Sequence, residues 1–338
     1  MIKQLIFIKI CSKIRFFEFL SNYFFVIVII NMYFCARKND NFPTMSGQLK
    51  EVRLRIQSVS STQQITKAMK MVSAAKLRKA QDAVTQMRPY AQKLQEMLSN
   101  IVSNSSSDSE LKLATERPVE KVLLIAITSD RGLCGAYNAN VVKLARQRVK
   151  EAYAAQHAKG QVSILPIGKK SYENFTRLGF PVVDRFWDLF SKLSFENVRA
   201  AANYAQEEFI KGTYDKIEIV YSQFKNAATQ EFICEPYLPI PKVSNSTTAA
   251  KSDFIFEPSE EVLVTELMPK ILNTQVFKAV LDAHASEHGA RMTAMDKASE
   301  NANELLRGLK ISYNRARQAA ITTELTEIVS GAAALQGA

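Results

Sequence analysis

A short loop with two glycines is the first place in this 338-residue chain where the residue types could do chemistry. It runs from Thr128 to Asn138 (TSDRGLCGAYN), between an apolar segment and a helical pattern, where doubly wound α/β folds bind phosphates. The glycines are spaced G-x-x-G, so the dinucleotide fingerprint is absent, and the sequence has no G-x-x-x-x-G-K-[ST] motif. We therefore predict a tight turn or an interaction loop, with no cofactor.

Cysteine chemistry is not favoured either. Cys134 in this loop would need a histidine partner to act as a nucleophile, and no histidine stands at a spacing that makes a dyad recognisable. The four cysteines form no CxxC pair, which suits a reducing compartment and argues against a disulfide framework or a zinc site. We predict no catalytic residue.

Two histidines have the spacing of a metal-binding pair. His284 and His288 are four residues apart, but the zincin motif would place a glutamate directly after the first histidine. Both also fall in register with a long apolar stripe. We therefore favour a polar layer in a helix pair over a metal site.

The two ends of the chain carry long helical patterns. Residues 45–103 have apolar positions at steps of three and four, among them Ile65, Met69 and Val72, and we interpret Val72 as a core position. Residues 258–338 repeat the pattern with a narrow, alanine-rich face. Because neither helix could bury its stripe alone, we predict an antiparallel coiled coil of the two.

An α/β domain is predicted between the helices, at residues 118–240, followed by a linker at 241–257. Its sheet should be mostly parallel and Rossmann-like, with helices near 138–158, 169–178 and 194–211. The strands are expected at the following segments: Lys121–Thr128, Val162–Ile167, Val182–Trp187, Ile217–Phe224 and Gln230–Tyr237.

Positive charge is concentrated on the first helix. The net charge of the chain is +11, and the segment from Ser46 to Asn100 holds ten Lys or Arg residues against three acids. Such a helix fits nucleic acid, a membrane surface, an acidic protein partner, or simply a solvated face.

Residues 1–44 have a composition of their own. Phe16–Phe34 is long enough for a membrane span, although Glu18 and two asparagines interrupt it. Of the 44 residues, 26 are Phe, Ile, Lys, Asn or Tyr, the residues of AT-rich codons. We interpret the segment as a non-native extension from an upstream start, with Met45 as the true start, and a targeting or anchor segment as the alternative.

Three separate segments resemble the gamma subunit of F-type ATP synthases. They are Met45–Gln81, the loop Ser129–Asn138, and Ile321–Ala334, which fits the signature I-T-x-E-x-x-E-x-x-x-G-A. The similarity covers residues 45–338 in the right order. The resemblance implies a central rotor shaft without an active site, cofactor or metal, which couples proton-driven rotation to conformational changes in the catalytic beta subunits.

The resemblance also implies partners and contact residues. The partners would be the alpha and beta subunits of the catalytic head, the epsilon subunit and the c-ring, without nucleic acid. Met69 and Lys70 would face the acidic lever loop of beta, and Arg317, Gln318, Thr322 and Glu324 would meet its catch loop. The uncharged end of the chain would turn in an apolar sleeve, as a bearing tip formed by Ile328, Val329, Ala332 and Leu335.

Two other functions remain as alternatives. One is an α/β enzyme with a coiled-coil arm, and the other is a membrane-anchored coiled-coil scaffold, which depends on residues 16–34. For the rotor subunit we expect a peripheral position on the cytoplasmic face of a bacterial plasma membrane. The matrix side of the mitochondrial inner membrane is the alternative.

Overall fold

The computed structural model describes residues 45–104, 113–227, 229–240 and 260–336. The predicted extension at 1–44 and the predicted linker at 241–257 lie outside the described residues. No helix of the described part is long and apolar enough to cross a membrane.

The described part of the chain begins and ends in long helices, with a mixed α/β sheet between them. Helix α1 is Met45–Asn104 and continues through Pro89, and the last helix, α6, is Glu260–Gln336. Between them lie, in chain order, the elements β1 Val122–Ile127, α2 Tyr137–Ala152, α3 Ala154–Ala158, β2 Val162–Ile167, α4 Lys169–Arg177, a 3₁₀ turn Leu189–Lys192, α5 Phe195–Ile210, β3 Lys216–Phe224 and β4 Gln230–Leu238.

The sheet has the strand order β2-β1-β3-β4. Strand β1 pairs in parallel with both β2 and β3, and β4 pairs antiparallel with β3. The mostly parallel sheet is therefore confirmed. All six residues of β1 are buried, because helices cover both faces of the sheet.

Side chains alternate between the two faces of β1. Leu123, Ile125 and Ile127 pack in a cluster with residues of α5 and α6, whereas Val122 and Leu124 pack with residues of α2. Because successive side chains of β1 point to opposite faces of the sheet, this one strand contributes to both apolar cores.

The strand predicted at Val182–Trp187 is wrong. This segment makes one isolated bridge, between Val182 and Ile164. The Ile164 amide donates to the carbonyl oxygen of Pro181, and the Val183 amide donates to Ile164. The described chain makes no further ladder with β2 after Val183. This short apolar segment therefore makes two hydrogen bonds to β2 without continuing as a strand.

The chain forms two compact units. One is Ser58–Arg307, and the other contains the described residues 45–57 and 308–336. The domain boundaries expected from the sequence follow helices and strands rather than these units, and they stay a prediction.

Within the unit Ser58–Arg307, α1 and α6 run antiparallel. Thr66 Oγ1 lies 2.8 Å from Ser299 Oγ, and Lys70 Nζ lies 2.5 Å from Asp296 Oδ1. Further along α1, Arg88 lies near Asp282. As the residue number rises along α1, the residue number of its contact on α6 falls, which is the pattern of an antiparallel pair.

The residues of α1 that face α6 differ in part from those predicted. Val72, interpreted as a core position, is 56% exposed, and Ile65 is 59% exposed. The small polar residues Thr66 and Ser73 take the inward positions instead, with Ser73 3% exposed. Close approach of two helices favours small side chains, and the hydrogen bond between the hydroxyl groups of Thr66 and Ser299 satisfies Thr66 there.

Candidate functional site

In the glycine loop after β1, polar groups form hydrogen bonds with other residues of the same loop. The Ser129 amide donates to Oδ1 of Asn138 at 3.0 Å, and Ser129 Oγ donates to the carbonyl oxygen of Arg131 at 2.7 Å. Cys134 is 1% exposed and accepts a hydrogen bond from Nδ2 of Asn138 at 3.2 Å. The thiol is therefore enclosed, in keeping with a structural role for Cys134.

The side chain of Asp130 in this loop contacts the start of α4. Oδ1 of Asp130 accepts a hydrogen bond from the Lys169 amide at 3.1 Å. The Ser129 carbonyl accepts one from the Lys170 amide, also at 3.1 Å. Burial raises the pKa of Asp130, and the hydrogen bond from Lys169 opposes that rise. The loop is therefore tied to the start of α4 by one side-chain and one backbone hydrogen bond.

The tip of the loop is strained and exposed. Leu133 has φ +65° and is 54% exposed, an unfavourable conformation for a bulky side chain. Arg291 of α6 supports it, because Nη2 donates to the carbonyl oxygens of Arg131 at 3.1 Å and Gly132 at 3.4 Å. The loop is therefore fixed to the C-terminal helix.

Arg291 is part of a buried polar layer that the sequence analysis recognised only through its histidines. Nη1 of Arg291 lies 2.5 Å from Oε1 of Glu287, and the two residues are 8% and 7% exposed. The i, i+4 spacing of Glu287 and Arg291 was a signal that could have revealed this pair.

His284 and His288 belong to the same layer. Their Nε2 atoms are 3.2 Å apart, and the ring of His284 stacks on Phe190 at 5.8 Å. Burial lowers the pKa of His284 to about 4, and burial, then His284, lowers that of His288 to about 3. The positive charge of Lys76 in α1 acts in the same direction on both. The predicted polar layer is present, but its residues contact the α/β part as well as the helix pair.

The described residues contain no group of three or more His, Cys, Asp or Glu side chains placed to hold a metal ion. The layer formed by His284, Glu287, His288 and Arg291 instead holds loop and helix together through its own hydrogen bonds.

Met69 and Lys70, the predicted lever contacts, lie on α1 in the unit Ser58–Arg307. Met69 is half-buried, whereas its neighbour Met71 is 68% exposed. Lys70 is half-exposed and already paired with Asp296. Of these residues, Met71 therefore presents the most apolar surface to a partner.

The other predicted contact residues lie on α6, in the second unit. Arg317, Gln318, Thr322 and Glu324 are all exposed. Thr322 Oγ1 donates to the carbonyl oxygen of Gln318 at 3.0 Å, which ties the hydroxyl to its own helix. The other three side chains make no hydrogen bond or ion pair described for this part of the chain and are free to meet a partner.

The end of α6 exposes an apolar surface. Ile328 is 67% exposed, Val329 66% and Leu335 84%, and Ala332 is exposed as well. Two residues that the sequence analysis did not select, Ile321 at 50% and Leu325 at 57%, extend this surface towards Arg317. Contiguous apolar exposure on a helix is typical of a surface that a partner covers.

Comparisons with known proteins agree with these features. A family model described as ATP synthase matches residues 48–335. The chain is 53% identical over 291 residues to the ATP synthase gamma chain of Flavobacterium johnsoniae, which covers 86% of this chain and 100% of the relative. It is 50% identical over 290 residues to that of Cytophaga hutchinsonii, which covers 85% and 98%.

Solved structures give the same result for the fold. The central stalk and c-ring structure of the Tetrahymena thermophila mitochondrial ATP synthase contains a chain that is 26% identical, with a TM-score of 0.51, covering 70% of this chain and 99% of that chain. A chain of the Euglena gracilis mitochondrial ATP synthase is 23% identical, with a TM-score of 0.60, covering 86% and 95%. The chain therefore belongs to the ATP synthase gamma chain family.

Proposed function

We propose that this chain is the central rotor shaft of a proton-translocating F-type ATP synthase. It couples ion-driven rotation of the membrane ring to conformational changes in the catalytic beta subunits and performs no bond chemistry of its own. The observation that carries this proposal is the end of α6, where every described side chain from Glu324 to Leu335 is exposed, including four large apolar ones.

A rotor acts on its partners by unequal contacts. A partner can shift the conformational equilibrium of an enzyme only if it binds the two conformations differently. Arg317, Gln318 and Glu324 would bind the catch loop of beta, and Met69 and Lys70 its acidic lever loop. Lys70 would have to exchange Asp296 for that loop, because its ammonium group is already paired.

The tip would serve as a bearing. Ile328, Val329, Ala332 and Leu335 carry no charge, so an apolar sleeve around them would form no directional bonds and would let the helix turn. The alpha and beta subunits would supply this sleeve.

The remaining partners would contact the α/β part. The α/β part, interpreted as Rossmann-like, would meet the epsilon subunit and the c-ring, and α1 and α6 would form a coiled coil inside the head. The polar contacts Thr66–Ser299 and Lys70–Asp296 support this pairing, because polar pairs on neighbouring turns specify register.

We place the chain on the cytoplasmic face of a bacterial plasma membrane, as a peripheral subunit. Bacterial relatives at 50–53% identity support this location, and the matrix side of the mitochondrial inner membrane is the alternative. An enzyme with a coiled-coil arm is disfavoured because polar groups of the glycine loop, those of Ser129 and Asn138, bond to one another. Sequencing the N-terminus of the mature protein tests the anchored scaffold, which requires residues 16–34.

The catch contact is tested by replacing Arg317 and Gln318 together with alanine and measuring coupled ATP synthesis in membranes. A matched control replaces Asn314 and Arg315, an exposed amide and arginine on the same helix. The proposal expects a large loss for the first pair and a small one for the second. Equal synthesis by both variants would refute the catch assignment.

A further inference from the structure

Arg88 lies where three elements of the fold meet. Its Nη2 atom donates a hydrogen bond of 2.6 Å to the carbonyl oxygen of Phe224, the last residue of β3. The same atom lies 3.6 Å from Oδ1 of Asp282 in α6. One guanidinium group of α1 therefore contacts both the sheet and the C-terminal helix. We call Arg88, Phe224 and Asp282 the Arg88 junction.

Asp282 is an unusual residue for such a place. Its side chain is fully buried, and neither carboxylate oxygen has a hydrogen-bond partner within the described residues. Burial raises its pKa, Arg88 and Lys278 oppose the rise, and Glu235 adds to it. An apolar residue of similar size would pack here without the cost of burying a carboxyl group. The carboxyl group therefore points to a role in specificity rather than in stability.

An apolar cluster lies beside the junction. Leu77, Ala80 and Val84 of α1 pack with Phe224, Leu281 and Ala285 in one cluster. Apolar burial is not directional, so these contacts hold the helices together without fixing how α1 is rotated against β3 and α6. The charge-assisted hydrogen bond from Arg88 to the Phe224 carbonyl oxygen is directional and supplies that constraint.

The position of Arg88 along α1 adds a second reason. Pro89 follows it and has no amide hydrogen, so the carbonyl group of Thr85 loses its helical partner. The helix is thus weakened in the turn that carries Arg88. Attachment of Arg88 to β3 and α6 supports α1 where its own hydrogen bonding is interrupted.

We propose that the Arg88 junction transmits torque between the helix pair and the α/β part, with Arg88 as the positioning residue that fixes the rotational setting of α1. The inference rests on the proposed rotor function. A rotor loses coupling if its helix pair can turn relative to the α/β part, which the membrane ring would drive. Arg88 restricts that motion by contacting all three elements.

The test uses the complete ATP synthase in lipid vesicles, with ATP hydrolysis and ATP-driven proton uptake measured on the same preparation by a pH-sensitive dye. In Arg88→Ala we expect hydrolysis to be largely retained and proton uptake per ATP to fall by about fivefold or more, as for typical coupling free energies. The control is Lys93→Ala, on the same helix, whose side chain is 72% exposed and pairs with Glu96 of its own turn. Lys93→Ala should leave the number of protons taken up per ATP unchanged.

Two further variants separate the contacts of the junction. Arg88→Gln keeps a donor for the Phe224 carbonyl but removes the charge, and Asp282→Asn keeps the shape of its partner. If the pair acts as a unit, the double variant couples no worse than the poorer single one; additive losses would contradict the pairing.

An unchanged ratio of protons per ATP in Arg88→Gln and Arg88→Ala would overturn the inference. If Arg88→Ala fails to assemble, Arg88→Gln alone decides. Failure of the rotor proposal itself would look different, because the wild-type chain would then not assemble with alpha and beta subunits at all.

Discussion

Arg148 in α2 holds Glu218 of β3 by two hydrogen bonds, from Nε to Oε2 at 2.9 Å and from Nη2 to Oε1 at 2.8 Å. Tyr153 donates a third, at 2.6 Å. Burial alone would raise the pKa of Glu218, but these hydrogen bonds lower it from 4.5 to about 2. The pair therefore stabilises the fold above pH 4.5, and this contribution is lost as the pH falls towards 2.

Arg148→Ala should lower the free energy of unfolding by about 3 kcal/mol, because Glu218 would stay buried without the two hydrogen bonds from the guanidinium group. Urea unfolding of the full chain at pH 7, followed by circular dichroism, measures this loss. Arg146→Ala, an exposed arginine on the same helix, should change stability by less than about 0.5 kcal/mol. Equal effects of the two variants would show that the pair does not fasten α2 to the sheet.

Acid should loosen the histidine layer before it affects Glu218. The folded pKa of His288 is lowered to about 3 from 6.5, so the unfolded chain binds more protons between these values. The contribution of His288 to the free energy of unfolding is therefore fully present above pH 6.5, and it decreases as the pH falls below that value.

The variant His288→Gln isolates this effect. Between pH 7 and pH 5 the wild type should lose roughly 2 kcal/mol more stability than the variant, at about 1.4 kcal/mol per pH unit below 6.5. Urea midpoints at the two pH values measure the difference. Parallel loss in both proteins would mean that His288 accepts its proton in the folded state.

Gly168 lies between the end of β2 and the start of α4 and should not tolerate a side chain. Its φ is +106°, and an added Cβ would lie 2.4 Å from the Thr128 carbonyl oxygen. Gly179 also has a positive φ, +77°, but open space around it.

Gly168→Ala should therefore destabilise the chain by about 3 kcal/mol or more, whereas Gly179→Ala should cost about 1–2 kcal/mol of backbone strain. Thermal unfolding of the two variants side by side checks this. A similar loss in both would mean that the backbone moves to accept the methyl group.

Much of the fold could be predicted from local sequence, because the periods of helix and strand are local properties. The apolar run of β1 and the stripe of α6 at Tyr313, Ala316 and Ala320, each less exposed than its neighbours, are examples. The strand at Val182–Trp187 was predicted wrongly because a short apolar run does not reveal how many sheet hydrogen bonds it makes.

The site was less predictable, since its contacts join distant parts of the chain. Arg88 and Asp282 carry no local signal of their contact, and Thr66 and Ser73 face α6 although polar residues normally indicate a solvated face. Arg317 and Gln318 were selected through the family resemblance, because an exposed helix position has no feature of its own that identifies a partner.

The central claim is tested most directly by watching this chain turn. The catalytic head would be fixed through its beta subunits, and a bead would be attached to the α/β part at Lys150→Cys, an exposed position in α2. With ATP present, the account predicts sustained rotation in one direction. A head that hydrolyses ATP while the bead stays still would contradict it.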